Sequence, residues 1–123
     1  MRILLADDER NFGLVVKAEL EDDGHVVDVV GDGVEAVLKF IDRGYDFVLF
    51  DIKMPYLNGI HALRIIKKLN PDVAAITFSG NAGSGEMSES VRAGALRCLT
   101  KPFAVAKLKE DIRSYWARRG CRQ

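Results

Sequence analysis

The segment FVLFDIKMP, from Phe47 to Pro55, joins a short apolar run to an aspartate and a proline. Four consecutive apolar residues predict a strand that is buried on both faces, as in a parallel sheet covered by helices. Asp51 then falls at the carboxyl end of this strand, the edge at which such sheets gather their functional groups. A rigid strand end would hold this carboxylate in position, and Pro55 would turn the chain above it.

The same alternation continues along the rest of the chain. Apolar segments that predict strands are separated by segments whose apolar residues recur with helical spacing. Because such alternation implies right-handed crossovers, the sequence predicts one α/β domain, a three-layer doubly wound sandwich around a parallel sheet. The predicted strands cover residues 2–6, 25–30, 47–51, 73–79 and 96–100, and the predicted helices cover residues 9–22, 32–44, 58–70, part of 81–94, and 104–119.

The helices carry signals for their ends and for their buried faces. Asn58 is predicted to cap the third helix and Gly44 to close the second. Helical spacing assigns to the core Phe12, Val15, Val16 and Leu20 of the first helix, Val34, Val37, Phe40 and Ile41 of the second, Ile60, Leu63 and Ile66 of the third, and Val105, Leu108, Ile112 and Tyr115 of the last.

The composition excludes several classes of protein. The chain has 123 residues with 18 basic and 18 acidic side chains, so no net charge attracts it to nucleic acid or to an anionic membrane. No apolar run reaches the roughly 18 residues of a membrane span, and residues 1–9 lack the pattern of a secretory signal. Cys98 and Cys121 form neither a disulfide framework nor a metal-ligand pair. We therefore expect a reduced, cytoplasmic protein.

Polar residues stand at the ends of four of the five predicted strands. Asp7 and Asp8 follow the first strand, Asp51 ends the third, Ser79 ends the fourth, and Lys101 follows the fifth. If the strands lie side by side, these groups meet at one edge of the sheet. Crowded carboxylates resist full ionisation unless cations compensate them, and a lysine and Mg²⁺ are the cations that suit this set. An ionised aspartate beside a metal and a lysine is suited to accept a phosphoryl group.

Four motifs in this order resemble the receiver domain of bacterial two-component response regulators. They are LLADDE at 4–9, VLFDIKMPYLNG at 48–59, ITFSG at 76–80 and LTKPF at 99–103. The resemblance implies a flavodoxin-like fold with five helices and a five-stranded sheet in the order 2-1-3-4-5. It assigns residues 1–118 to the receiver domain and leaves residues 119–123 as a frayed basic tail.

The resemblance also implies which residues bind the metal and which accept the phosphoryl group. Asp51 would be the phosphoacceptor. Mg²⁺ would be bound directly by Asp8, by Asp51 and by the backbone carbonyl of Lys53, and through water by Asp7.

The remaining roles implied by the resemblance concern the phosphoryl group and its donor. Lys101 and the hydroxyl of Ser79 would bind the phosphoryl group, and the peptide bond before Pro102 would be cis, although the residues alone favour trans. The donor would be a phosphohistidine on a sensor histidine kinase or a histidine phosphotransfer protein. The domain would catalyse only its own phosphorylation and dephosphorylation, and would signal through protein–protein contacts.

Two positions depart from the family pattern. Cys98 stands three residues before Lys101, where receivers commonly have Tyr or Phe, so a rotating ring is not available for the read-out. Gly80 replaces the more usual alanine after Ser79. We expect switching to depend on Ser79 and on the glycine-rich loop from Gly80 to Gly85, which a small bias can move.

Several outputs and alternative functions stay open at this stage. The chain is either a stand-alone regulator or phosphorelay intermediate, or a domain of a longer regulator whose effector binds DNA; direct contact of this domain with nucleic acid or a membrane is not expected. An unphosphorylated interaction module is a second alternative, against which the intact set of Asp8, Asp51, Ser79 and Lys101 argues. A small flavin-binding protein is a third, and the three acids after the first strand would repel the phosphate of its cofactor.

Overall fold

The computed structural model describes residues 1–80 and 84–120. Strands and helices alternate strictly along the chain. The elements are β1 (Arg2–Ala6), α1 (Arg10–Asp22), β2 (Val26–Val30), α2 (Gly33–Arg43), β3 (Phe47–Asp51), α3 (Gly59–Leu69), β4 (Ala74–Ser79), α4 (Ser84–Arg92), β5 (Arg97–Thr100) and α5 (Val105–Gly120).

The five strands form one sheet in the order β2-β1-β3-β4-β5, and every neighbouring pair is parallel. The fold class, the strand order and the central place of β3 are confirmed. The predicted elements differ from the observed ones by one or two residues at their ends, which is the usual uncertainty of such boundaries.

The core consists of two layers, one on each face of the sheet, because successive side chains of a strand point to opposite faces. In β3, Val48 and Phe50 pack in the layer that includes residues of α2 and α3. Phe47 and Leu49 pack in the opposite layer, with residues of α1 and α5. All five residues of β3 are buried, as the apolar run predicts.

The predicted buried face of α2 is partly wrong. Val34 and Ile41 are 45% and 59% exposed, whereas Gly33, Ala36 and Phe40 are buried. The reason is the close approach of Gly33 to the loop before α3, where a methyl group on residue 33 would meet the backbone of Leu57. This approach turns Gly33 and Ala36 inward and Val34 and Ile41 towards solvent.

The buried face of α1 is shifted in the same way. Val15 is 57% exposed, and the buried residues are Gly13, Val16 and Leu20. Gly13 lies against β2, since a Cβ at this position would be 3.1 Å from the side chain of Val29. Gly13 therefore lets α1 approach the sheet closely.

Local signals at helix ends and turns agree with the structure. The Asn58 side chain accepts a hydrogen bond from the backbone N–H of His61 (2.9 Å), and Gly44 ends α2 with a φ of +69°. The Lys101–Pro102 peptide bond is cis, as the family resemblance implies. Within residues 1–80 and 84–120, the helices are all too short or too polar to cross a membrane.

Candidate functional site

The carboxyl ends of β1 and β3 bring two aspartates together. Ala6 pairs with Phe50 in the sheet register, so Asp7 and Asp51 are the next residues on two adjacent strands. The backbone N–H of Asp7 donates to the carbonyl oxygen of Val30 (3.1 Å), which continues the pairing of β1 with β2 and fixes Asp7 at the edge.

Three carboxylates form a cluster at this edge. One carboxylate oxygen from each of Asp7, Asp8 and Asp51 lies within 4.8 Å of the other two. Asp7 and Asp51 are only 1% and 6% exposed, whereas Asp8 is exposed to solvent. The cluster is therefore a buried acidic pair with a third carboxylate at its solvent side.

Lys101 is the cation of the cluster. Its ammonium nitrogen lies 2.7 Å from Asp7 Oδ2, 3.2 Å from Asp51 Oδ2 and 3.3 Å from Glu9 Oε1. It also lies 4.4 Å from the ring centroid of Phe12, which is cation–π geometry. The backbone N–H of Lys101 donates to the carbonyl oxygen of Ser79 (2.8 Å), so the β4–β5 pairing helps to position this side chain.

The electrostatics of Asp51 reflect this crowding. Burial and the nearby charge of Asp7 raise the pKa of Asp51 to about 6, and Lys101 only partly offsets them. Burial alone would lower the pKa of Lys101, but its hydrogen bonds and ion pairs with Asp7 and Asp51 outweigh this effect and raise it. The ammonium group of Lys101 therefore does not fully compensate the negative charge of the carboxylates around it.

The donor set fits a hard divalent cation. All the candidate ligand atoms of the cluster are carboxylate oxygens, the type that Mg²⁺ prefers. Asp7 already has both oxygens engaged, because Oδ1 accepts from the backbone N–H of Glu9 (2.9 Å) and Oδ2 from Lys101. Asp8 is the most accessible of the three carboxylates, and Asp51 also accepts a long hydrogen bond from the backbone N–H of Lys53 (3.4 Å).

Ser79 lies at the end of β4, the strand next to β3, and is buried. Its hydroxyl donates to Glu86 Oε1 of α4 (2.7 Å), a contact that the sequence does not suggest. The family resemblance assigns this hydroxyl to the binding of the phosphoryl group, whereas in this structure the Glu86 carboxylate accepts its hydrogen bond.

The other predicted switch positions lie around this strand end. Gly80 is exposed, and residues 81–83 of the predicted loop lie outside the described residues. The prediction that the loop extends to Gly85 is wrong, because α4 already begins at Ser84. Cys98 is a buried free cysteine in the layer that contains residues of α2 and α3, and it is paired in register with Thr77. The role of these positions in switching stays a prediction.

Four residues of the site received no role from the sequence: Glu9, Phe12, Gly59 and Glu86. Glu9, the residue before α1, and Phe12, in the first turn of α1, both contact Lys101. Gly59, the first residue of α3, lies against the backbone of Asp51. The motif that contains Gly59 was visible in the sequence, but nothing in it indicates which backbone this glycine approaches.

The raised pKa of Asp51 predicts how the stability of the metal-free protein depends on pH. The carboxyl group of Asp51 holds its proton more tightly in the folded protein than in the unfolded chain. Protonated Asp51 therefore contributes stability below about pH 4, and this contribution is lost as the pH rises through about 6. We expect Asp51→Asn to raise the free energy of unfolding at pH 7 by about 1–2 kcal/mol, a value reduced for partial solvation. The gain should shrink at pH 4.5, where folded wild-type Asp51 is mostly protonated.

Urea denaturation in EDTA at both pH values measures this difference. The difference in unfolding free energy between Asp51→Asn and the wild type isolates the effect of Asp51, since all other carboxyl groups are present in both proteins. A gain that is equal at pH 7 and pH 4.5, or a loss of stability at pH 7, would show that Asp51 is not a strained buried carboxylate.

Comparisons with known proteins find relatives over nearly the whole chain. A family model for the response regulator receiver domain matches residues 3–113. The chain is 32% identical over 112 residues to the chemotaxis protein CheY of Thermotoga maritima, covering 90% of this chain and 93% of that protein. It is 31% identical over 112 residues to the sensor protein EvgS of Escherichia coli, covering 91% of this chain and 9% of that protein.

The lengths of the relatives differ widely. The chain spans about half or less of several other curated relatives that it matches. Among solved structures, a CheY-like receiver domain protein of Methanospirillum hungatei has a TM-score of 0.93 and 29% sequence identity, covering 99% of this chain and 98% of that one. The fold of that protein therefore matches nearly the whole of this chain.

Proposed function

The chain belongs to the response regulator receiver domain family, whose general function is to accept a phosphoryl group, and from this premise we propose that Asp51 is the residue that accepts it. The observation that carries the proposal is the ion pair of Asp51 with Lys101 (3.2 Å) inside the acidic cluster. Of the three clustered carboxylates, Asp51 is the one at the end of a fully buried strand, which holds its position.

The reaction needs no general base. The donor is a phosphohistidine on a histidine kinase or a histidine phosphotransfer protein. An oxygen of the Asp51 carboxylate attacks phosphorus, a P–O bond forms, and the P–N bond breaks with its electron pair left on the imidazole. The Asp51 carboxylate carries no proton when it attacks, so its ionisation above about pH 6 is sufficient.

Lys101 contributes charge and orientation to this step. Its ammonium group already contacts Asp51 Oδ2 and is held by Asp7, so a phosphoryl oxygen on Asp51 would lie within its reach. An ammonium placed before the reaction stabilises developing negative charge without reorganisation. The Ser79 hydroxyl is the second group that we assign to the phosphoryl oxygens.

We assign the binding of Mg²⁺ to the same cluster. Asp8, Asp51 and the backbone carbonyl of Lys53 would hold the ion directly, and Asp7 through water. This division agrees with the accessible carboxylate of Asp8 and with the two hydrogen bonds that already occupy Asp7. The bound ion supplies positive charge that neutralises the phosphoryl oxygens and the crowded carboxylates.

The output of phosphorylation is a change in protein–protein contacts. We propose that the domain catalyses only its own phosphorylation and dephosphorylation. Because the chain spans 9% of one curated relative and about half of others, a receiver that controls a further domain, such as a DNA-binding effector, is the second candidate. The site and its chemistry are the same in both cases.

Intact mass measurement tests this proposal. After incubation with a small phosphodonor such as acetyl phosphate and Mg²⁺, the wild-type protein should gain one phosphoryl group, and Asp51→Asn should gain none. Asp42→Asn, which changes an exposed aspartate of α2, should be labelled like the wild type. Omission of Mg²⁺ should lower labelling of the wild type by more than about tenfold. Equal labelling of Asp51→Asn and the wild type would overturn the proposal.

A further inference from the structure

Glu86 lies in the first half of α4 and accepts a hydrogen bond from the hydroxyl of Ser79. Once Asp51 carries the phosphoryl group, the Ser79 hydroxyl is one of the groups that we assign to bind it. We propose that Glu86 is a positioning residue that competes with the phosphoryl group for the Ser79 hydroxyl and couples phosphorylation to the placement of α4. This inference rests on the proposed function of Asp51 and Ser79.

The competition follows from the number of protons available. A serine hydroxyl has one proton to donate, and a carboxylate has only acceptor atoms. The 2.7 Å contact therefore commits the proton of Ser79 to Glu86. A phosphoryl oxygen can receive this proton only if the bond to Glu86 breaks, whatever other partner the oxygen of Ser79 has.

Charge favours the exchange after phosphorylation. The phosphoryl group changes the charge at Asp51 from about −1 to about −2 and adds strong acceptor oxygens. Both the phosphoryl group and the Glu86 carboxylate would then face the same hydroxyl, and like charges at short range repel. Phosphorylation thus removes the hydrogen bond of Glu86 and adds a repulsion that drives its side chain away.

A second hydrogen bond, between two hydroxyl groups, determines which part of α4 moves. Thr77 and Ser79 are two residues apart and lie on one face of β4, while Glu86 and Ser90 are four residues apart and lie on one face of α4. The hydroxyl of Thr77 donates to the hydroxyl of buried Ser90 (2.9 Å), and the hydroxyl of Ser79 to Glu86. Both hydrogen bonds therefore join α4 to β4.

Only one of these two bonds is at the phosphorylation site. Thr77 and Ser90 are both fully buried, so their bond persists when Ser79 changes partner. Loss of the bond to Glu86 then frees the first turns of α4, while its second half stays held at Ser90. The expected change is a tilt or fraying of α4 about Ser90, on a surface that a protein partner can read.

The affinity for beryllofluoride, a mimic of the phosphoryl group, tests the competition. In the presence of Mg²⁺, Glu86→Ala should bind beryllofluoride about tenfold more tightly than the wild type, because Ser79 no longer has to give up a charged acceptor. Glu86→Gln keeps an acceptor but removes the charge, and we expect a rise of about two- to threefold. Glu89→Ala changes a second half-buried glutamate of α4 and should bind like the wild type.

A double substitution separates competition from a general effect on folding. In the Ser79→Ala background, Glu86→Ala should give no further gain in affinity, because the hydroxyl that it releases is absent. Amide hydrogen exchange gives a second readout. The amides of residues 88–90, whose helical hydrogen bonds end on the first turn of α4, should exchange faster in Glu86→Ala without beryllofluoride, and we expect the same increase in the wild type with beryllofluoride.

The outcomes distinguish this inference from the proposed function. A wild-type protein that binds no beryllofluoride and is not phosphorylated overturns the proposed function. A wild-type protein that binds beryllofluoride while Glu86→Ala and Glu86→Gln bind it with unchanged affinity overturns the role of Glu86 alone. The same gain from Glu86→Ala with and without Ser79 would also overturn it.

Discussion

Lys101→Ala should lower the free energy of unfolding of the metal-free protein by about 2–3 kcal/mol and prevent efficient phosphorylation. The side chain of Lys101 is largely buried and contacts the carboxylates of Asp7, Asp51 and Glu9. Its removal leaves a buried carboxylate pair without compensating charge, which costs more than the loss of an exposed ion pair. The expected cost is at the low end for buried pairs because Asp8 opens the cluster to water.

A double substitution makes this prediction specific. Asp51→Asn should stabilise the Lys101→Ala protein more than it stabilises the wild type, because repulsion between Asp7 and Asp51 is strongest when the lysine is absent. Lys107→Ala is the matched control: this lysine pairs with Asp111 at 3.5 Å but is exposed, so its loss should cost less than about 1 kcal/mol. Urea denaturation in EDTA compares the wild type, the two single variants, the double variant and Lys107→Ala. Equal effects of Asp51→Asn in both backgrounds would contradict the charge coupling.

Gly59→Ala should destabilise the protein by about 3 kcal/mol or more, although it adds only one methyl group. A Cβ on residue 59 would overlap the carbonyl oxygen of Asp51, and would lie 2.9 Å from its carbonyl carbon and 3.2 Å from Ile52 Cα. These are backbone atoms at the end of a central strand and cannot rotate away. Either α3 moves off the sheet, or the backbone of Asp51 moves out of the site.

Gly85→Ala is the control for this substitution. Gly85 lies in α4, and a Cβ there would have no neighbour within 4 Å, so alanine should be neutral or stabilise the protein by up to about 1 kcal/mol. Urea denaturation followed by circular dichroism compares the variants. If Gly59→Ala unfolds at the same urea concentration as the wild type, the close packing of α3 on Asp51 is wrong.

The fold was predictable because its signals are local. The apolar run of β3 and the alternation of strands and helices are properties of short segments, and four of the five strands carry a polar group at one end. Parallel pairing then brings the ends of β1 and β3 together without further information. The order of the strands could not be predicted in this way, because it came from the family resemblance and not from the residues themselves.

The parts that were not predictable depend on how elements pack. The inward turn of α2 follows from the approach of Gly33 to Leu57, which are far apart in sequence. The contact of Glu86 with Ser79 depends on the placement of α4 against β4, and helical spacing cannot supply it. The contact of Phe12 with Lys101 joins residues near opposite ends of the chain.

The central claim is that the strand ends converge so that the carboxylate of residue 51 is the one that accepts the phosphoryl group. The most direct test is borohydride reduction of the phosphorylated protein, which converts a phosphorylated aspartate to homoserine, followed by peptide sequencing with mass spectrometry. The account predicts homoserine at position 51 and unchanged aspartate at positions 7 and 8. Homoserine at position 7 or 8, or a stable phosphoryl group elsewhere in the chain, would contradict it.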